Sequence, residues 1–460
     1  MTESAERLET EVALAVGEVS RWAAELHEVV ERIGVYFVRI EVIQRAYSYL
    51  QGLLSPLERK NGWQLGEASG AVTPSGMQHL LNRALWDEDG VRDELGSYVV
   101  EQLDDPLVVG VIDESAMIKK GTKSAGVARQ YCGLTGQVEN CQVGVFLGYA
   151  SPKGHALIDR ALYLPTTWAE DAARRHEARV PEAVKFATKP QLALQMWQRA
   201  RDAGIKFPWV TADEVYGRDP VLRHALGYHR QASVLVVPKN HVWKRYRGDC
   251  APKTVAAMAA GFGPAMWHRL SAGQGSKGPR LYDWTCLPYA GQEDDGWQHW
   301  LLVRRSLVDP TDLAYYVVFG PEGTTLEEMV RVAGARWTIE ECFEMGKGEV
   351  GLDQYEVRTY HGWYRHITLA MWALAFLVAT RAQIHAAEAR ADALNATGPD
   401  PRAASSPRPL DTVAHIAEIP RQVAAAPALP APRRAAPRAS HQKKTPPCQS
   451  WSEFRQRRGL

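Results

Sequence analysis

Cysteine is scarce in this chain and shows no pairing pattern. The six cysteines fall at 132, 141, 250, 286, 342 and 448 of 460 residues, with no CxxC and no histidine-rich spacing beside them. That argues against a zinc site and a disulfide framework, and for a reducing cytoplasm. Long apolar runs are missing as well. No stretch approaches the ~20 residues of a membrane helix, and the opening MTESAERLETE is acidic where a signal peptide would be basic. No membrane partner is expected. No nucleotide-binding loop is visible. Global charge is also lacking, at a formal +1. From residue 401 onward eleven Lys/Arg stand against three Asp/Glu, a net of +8, which leaves about −7 on the first 400 residues. A nucleic-acid partner of the folded body must therefore be met by local patches.

With 460 residues, 45% of them hydrophobic, the chain can build two or three domains with cores of their own. Residues 1–100 read as a small helical domain, with apolar positions at three- and four-residue spacing in SRWAAELHEVVERI and AYSYLQGLLSPLERKNGWQLGEA. Arg59, Lys60, Asn61 and Trp63 cluster near one helix junction, and this domain is the expected DNA-binding element. Residues 101–218 change to strands. LVVGVID (107–113), CQVGVFLGYAS (141–151) and HALIDRALYLP (155–165) read as a meander, and a helix over 189–203 leads into PWVTAD (208–213). Residues 219–322 are β-rich, with ASVLVVPK, RLYDWTCLPY, WQHWLLVRRSL and LAYYVVFG separated by Gly/Pro/Asp turns. Helices return over 323–395, ending in the strongly apolar HITLAMWALAFLVATRAQIHAAEA. Residues 396–460 read as a disordered basic Ala/Pro-rich tail.

Three acids carry the chemistry. Asp113 and Asp213 each end an apolar strand. Glu340 lies on a helix that Thr325 and Glu328 should open with a capping box. At about 100° per residue, Arg336, Glu340 and Lys347 share one helical stripe within roughly 40°. Carboxylate oxygens suit Mg²⁺ or Mn²⁺, and two such ions can clamp an in-line phosphoryl transfer. The plainer alternatives are acids that cap turns and an i,i+4 Arg–Glu pair on a solvated face. Glu114 follows Asp113, and strand alternation sends the two to opposite faces, so one of them is the ligand; Asp113 is preferred for its shorter side chain. Lys119, Lys120, Lys123 and Arg129, in KKGTKSAGVARQY, are candidates for phosphate contact. Lys239, Lys244 and Arg245 around Trp243 have the cation–aromatic interleaving of a single-strand contact. Trp297 and Trp300 read as core or as base platforms, and His361 and His366 as structural.

VVGVIDESAMIKKGTKSAGVARQYCGLTGQVENCQVGVFLGYAS, WVTADEVYG and ARWTIEECFEMGKGEVGLDQYEVRTYHGWYRHITLAMWALAFL together resemble the bacterial insertion-sequence transposases of the DDE superfamily, and within it the insertion sequence 701 family. The resemblance runs in order from about residue 30 to about 390. It implies an α/β fold, with an RNase H-like catalytic domain interrupted by a β-rich insertion, and Asp113, Asp213 and Glu340 as the catalytic, metal-holding acids. The related Y-x2-R-x3-E-x6-K pattern carries over at Arg336, Glu340 and Lys347 but not at its tyrosine, which is Ala333 here. The implied activity is cleavage of transposon-end DNA and joining of the 3′-hydroxyls to target DNA. The implied partners are double-stranded DNA and a second copy of the chain, in the cytoplasm at the nucleoid. A DNA-binding regulator descended from such an enzyme and a non-transposing RNase H-like nuclease are the rival expectations.

Overall fold

The computed structural model describes residues 21–243, 253–275, 277–288 and 296–396, with side chains to 393. Lys244, Arg245 and the tail beyond 396 lie outside the described residues. The helical start comprises α1 over 21–33, α2 Ile40–Leu53, α3 Gly62–Ala68, α4 Ser75–Asn82 and α5 Glu88–Leu103. Strands β1 Val109–Ile118, β2 Ala128–Cys132, β3 Gln137–Ser151 and β4 Gly154–Tyr163 follow. After short α6 Thr166–Ala169 and α7 Ala172–Glu177 come α8 Lys189–Asp202, β5 Trp209–Ala212, α9 Glu214–Gly217, α10 Pro220–Tyr228 and β6 Ser233–Val237. Then come β7 Val242–Trp243, β8 Lys253–Thr254, α11 Val255–Ala259, β9 His268–Gly275, β10 Gly278–Pro288, β11 Trp297–Arg305 and β12 Leu313–Pro321. Helices α12 Leu326–Ala335, α13 Trp337–Val350 and α14 Tyr360–Ala396 close the described chain.

The first strands form a mixed sheet. Strands β1, β3 and β4 are antiparallel neighbours, while β5 pairs parallel to β1 and β6 parallel to β5. The pairings Ile112↔Ala212 and Ala212↔Leu235 set the register of the three parallel strands, of which β5 stops at Ala212 while β1 continues to Ile118. The sheet with its helices fits an RNase H-like domain. β6, which the sequence groups with the β-rich segment, is hydrogen-bonded into this sheet. From it β12, β11, β10 and β9 continue the same sheet antiparallel.

Period-two alternation lets this extension bury both faces. Trp300 and Leu302 of β11, and Tyr316 and Val318 of β12, join the main core. Their neighbours Leu301, Val303, Tyr315 and Val317 pack in a second core with Trp243 and Val255. Trp243 and Trp300 are therefore core residues, and Trp297 is half-buried against Phe319, ring centroids 4.9 Å apart. Gly334 of α12 permits a close approach here, because a Cβ on it would lie 2.0 Å from the Ala272 carbonyl of β9.

The N-terminal helices share the main core with the sheet, from Trp22 and Leu26 through Leu50 and Val91 to Trp372 and Phe376 of α14. Against the sequence expectation, α14 is long and apolar enough to cross a bilayer by length and composition, but 78% of its apolar window is buried inside the protein. Lys60, grouped by sequence with a possible groove-binding junction, is instead buried. Its ammonium donates to the carbonyls of Leu53 and Glu349, joining the C-terminal ends of α2 and α13, and burial pushes it down to about 8. Asn61 caps α3 through the Trp63 and Gln64 amides, while Arg59 and Trp63 are exposed.

His366, fully buried on α14, ties three elements together. The Gly351 carbonyl can only accept, so Nε2 carries the hydrogen and donates to it at 3.1 Å, and Nδ1 accepts from the Tyr49 hydroxyl at 2.7 Å. Burial, helped by Lys119, pushes His366 down to about 3. The folded value lies below the unfolded one of about 6.5, so between the two the unfolded chain binds the extra proton. This contribution to stability is whole above about pH 6.5 and is lost as pH falls toward 3. Urea midpoints should therefore fall between pH 7 and 5 in the wild type, by up to about 1 kcal/mol per pH unit from this group. His366→Gln should show a shallower slope, and equal slopes would contradict the assignment.

Candidate active site

The parallel pairing of β1 and β5 sets Asp113 and Asp213 alongside each other. β5 stops at Ala212, but β1 runs on to Ile118, so Asp113 lies inside its strand and not at the end the sequence suggests. The antiparallel pairing with β3 carries the strand onward. Asp113 is the residue after the last β1–β5 pair, Ile112↔Ala212, and Asp213 is its counterpart just past the end of β5. Asp213 leaves β5 as the N-cap of α9, its Oδ1 accepting from the Val215 amide at 2.9 Å. The turn-capping alternative is thus present, and it leaves the other carboxylate oxygen outside that bond. Burial raises Asp113 to about 8, with the charges of Asp213 and Glu114 adding to the shift. Asp213 is raised too, first by burial and then by Glu114.

Arg336 joins the third acid to them. It sits where α12 stops and α13 starts, C-cap of one and N-cap of the other. The helix read from Thr325 onward is therefore two helices broken at Arg336, with Thr325 capping the first through the Glu328 amide. The Glu328 carboxylate does not turn back to complete the box; it accepts from the Trp209 indole at 2.9 Å. One guanidinium nitrogen of Arg336 lies 2.9 Å from Glu340 Oε1 and 3.6 Å from Asp113 Oδ2. The i,i+4 pair read from the helical stripe exists, and it reaches Asp113 of β1.

Glu114 turns the other way, as alternation requires. Its oxygens accept from the Lys189 ammonium at 2.6 Å and the buried Tyr216 hydroxyl at 2.5 Å. Both partners went unread in the sequence. Lys189 is the first residue of α8, behind a complete Thr188–Gln191 capping box, and Tyr216 lies one helical turn past Asp213. The signal that could have found them is the alternation itself: a carboxylate sent to the inner face of a buried strand needs a cation and a donor.

The predicted basic residues divide. Lys347 is half-buried on α13, its ammonium 3.2 Å from the Ala116 carbonyl of β1, and burial lowers its pKa. Lys119 is drawn inward, a correction to its reading as a phosphate contact. It donates to the Asp353 and Tyr355 carbonyls at 3.3 and 3.2 Å and lies 3.5 Å from the centre of the Tyr355 ring. Burial brings it down to about 8. Lys120, Lys123, Arg129 and Lys239 are exposed, Lys123 pairing with Glu177 at 2.8 Å and Arg129 donating to the Val138 carbonyl at 3.2 Å. His361, as expected, is structural: it meets Glu88, which also accepts from Arg365 at 3.2 Å.

Among the described residues, no three His, Cys, Asp or Glu side chains are gathered as a ready-made metal cage. The donor chemistry nonetheless fits a hard cation. Asp113, Asp213 and Glu340 offer oxygens alone, and Mg²⁺ is usually held by one or two carboxylates, with water and substrate phosphates completing the shell.

The site thus comprises Asp113 within β1, Asp213 just past the end of the parallel neighbour β5, and Glu340 bridged to Asp113 by Arg336. Residues 41–259 match the family of DDE superfamily endonucleases, a span that includes Asp113 and Asp213 and ends before Glu340. The matched span is just under half of the chain. It is similar to the "Probable transposase for insertion sequence element IS701" of Microchaete diplosiphon, at 26% identity over 222 residues. That match covers 44% of this chain and 54% of the relative, so the chain spans about half the length of the curated relative it matches.

Proposed function

We propose that this chain is a transposase of the insertion sequence 701 type, which cuts DNA at the ends of its element and joins them to a target. The observation that carries the reading is the placing of Asp113 and Asp213 directly after the last pair of the neighbouring parallel strands β1 and β5, with Glu340 tied to Asp113 through Arg336. Asp113 and Asp213 would hold Mg²⁺ or Mn²⁺, with Glu340 completing the set. Bound there, two such ions supply activation of the attacking oxygen and neutralisation of the leaving one.

The chain's own residues do the rest. Asp113 and Asp213 fix the place of the reacting phosphorus relative to the sheet, because each is anchored to backbone: Asp113 accepts from the Glu114 amide at 2.7 Å and Asp213 from Val215. Glu114, saturated by Lys189 and Tyr216, stays out of the ligand set and braces α9. Arg336, Lys120, Lys123, Arg129 and Lys239 meet phosphates of the bound DNA. Lys347 serves from the other end of the helical stripe.

In the first step water attacks the phosphorus, the P–O3′ bond breaks, and a 3′-hydroxyl and a 5′-phosphate result. In the second step that 3′-hydroxyl attacks a target phosphodiester and the target's own 3′-oxygen leaves, so bond count and charge are conserved. No external energy source is required. Two ends must be cut and joined, so the working form is a dimer on double-stranded DNA.

The test is a Mg²⁺-dependent assay with labelled DNA carrying the element's flanking repeats. End-specific cleavage followed by joining is the expected result. Cleavage without joining or end preference would replace this reading with a non-transposing nuclease. Binding without cleavage would replace it with a DNA-binding regulator.

A further inference from the structure

Arg336 has a second consequence for the same site, one that rests on the acids being metal ligands. We propose that Arg336 is a resident counter-cation, seated between Asp113 and Glu340, which DNA phosphate draws away, so that divalent-ion capture is coupled to DNA binding.

The geometry supports this in three ways. First, a single nitrogen serves two carboxylates from different elements, at 2.9 Å to Glu340 and 3.6 Å to Asp113. A guanidinium placed so competes directly with a divalent ion for the same oxygens. Second, the neighbouring ammonium groups are engaged elsewhere: Lys189 on Glu114, Lys347 on the Ala116 carbonyl and Lys119 on the 353 and 355 carbonyls. Among the described residues, Arg336 is the cation these two acids share. Third, the guanidinium has somewhere to go. Its side chain is 20% exposed, and Glu340 beside it is 44% exposed. Arg336 also starts its helix at a junction between two helices, with the Trp337 ring 5.1 Å away as a surface to swing across.

A DNA phosphate offers a guanidinium a planar, two-bond partner that two separated carboxylates do not. Moving Arg336 onto phosphate frees carboxylate oxygens at the moment substrate arrives. Linkage makes the effect reciprocal: DNA tightens ion binding by the factor by which the ion tightens DNA binding. The device would keep a DNA-cutting site poorly loaded until its substrate is in place.

Mn²⁺ binding to the full chain tests this by titration, read through calorimetry or the spin resonance of the free ion, with and without a short DNA duplex. Without DNA, Arg336→Gln should bind Mn²⁺ about tenfold more tightly than wild type, within the usual span of such couplings. The duplex should tighten Mn²⁺ binding to wild type by a similar factor and leave Arg336→Gln nearly unchanged. Arg336→Lys keeps the charge without the planar fork, and should bind Mn²⁺ like wild type without DNA but gain less from the duplex. Asp113→Asn, the control for site identity, should lose the binding. If Arg336→Gln binds no more tightly than wild type while Asp113→Asn abolishes binding, the counter-cation role is overturned and the metal reading survives. If Asp113→Asn leaves Mn²⁺ binding intact, the metal reading fails. Circular dichroism and melting of each variant separate either outcome from misfolding.

Discussion

Asp213→Asn should abolish Mg²⁺-dependent DNA cleavage while leaving the fold at its wild-type stability. The choice of asparagine matters. Asp213 caps α9 through the Val215 amide, and alanine there would cost about 1 kcal/mol of helix stability and blur any loss of activity. Asparagine is as good an N-cap as aspartate, so it preserves that role and removes only the charge. If Asp213 holds a catalytic ion, several kcal/mol of transition-state stabilisation disappear with it, a fall of ~10³-fold or more in cleavage rate. Single-turnover cleavage by Asp213→Asn and wild type, beside their urea midpoints, makes the comparison. Equal cleavage rates would mean that Asp213 merely caps a turn.

Gly217→Ala should be the most damaging small substitution near the site. Gly217 ends α9, and a Cβ there would lie 1.9 Å from the Val236 carbonyl of β6. Neither partner is a flexible side-chain tip, so the helix or the strand must move. Overpacking of this kind costs roughly 3 kcal/mol, at the upper end of its ordinary range. The displacement reaches function because α9 carries Asp213 at its start and the Glu114 anchor Tyr216 in its last turn. Gly227→Ala in α10 is the matched control, since its Cβ would meet nothing within 4 Å. Replacing a helical glycine there should be neutral or stabilising by up to about 1 kcal/mol. Chemical denaturation of the two variants decides the matter, and equal midpoints would contradict the steric account.

The placement of the acids was legible in the sequence because each rests on a local rule. PWVTAD announces an apolar strand that stops before its acid, and β5 does; LVVGVID reads the same way, but β1 runs on through Asp113 to Ile118 because β3 pairs along its whole length. A 3.6-residue period puts Arg336 and Glu340 on one stripe. Alternation alone separated Asp113 from Glu114, and the two do turn apart, toward Arg336 and toward Lys189. What was not legible depends on contacts across long stretches of chain. Lys119 and Lys60 read as surface cations because lysine is rarely buried. Their carbonyl partners at Tyr355 and Glu349 stand more than two hundred residues away. The break between α12 and α13 has no proline to mark it, and the complete capping box expected at Thr325 was lost when Glu328 turned to Trp209. The pairing of β6 with β5 and the sheet's extension beyond it are pairing facts, and strand propensity does not specify partners.

Anomalous diffraction from crystals grown with Mn²⁺ tests the central claim most directly. The account predicts a peak bonded to carboxylate oxygens of both Asp113 and Asp213, with Glu114 still held by Lys189 and Tyr216. A peak ligated by Glu114 in place of Asp113, or Mn²⁺ bound only elsewhere on the chain, would contradict it.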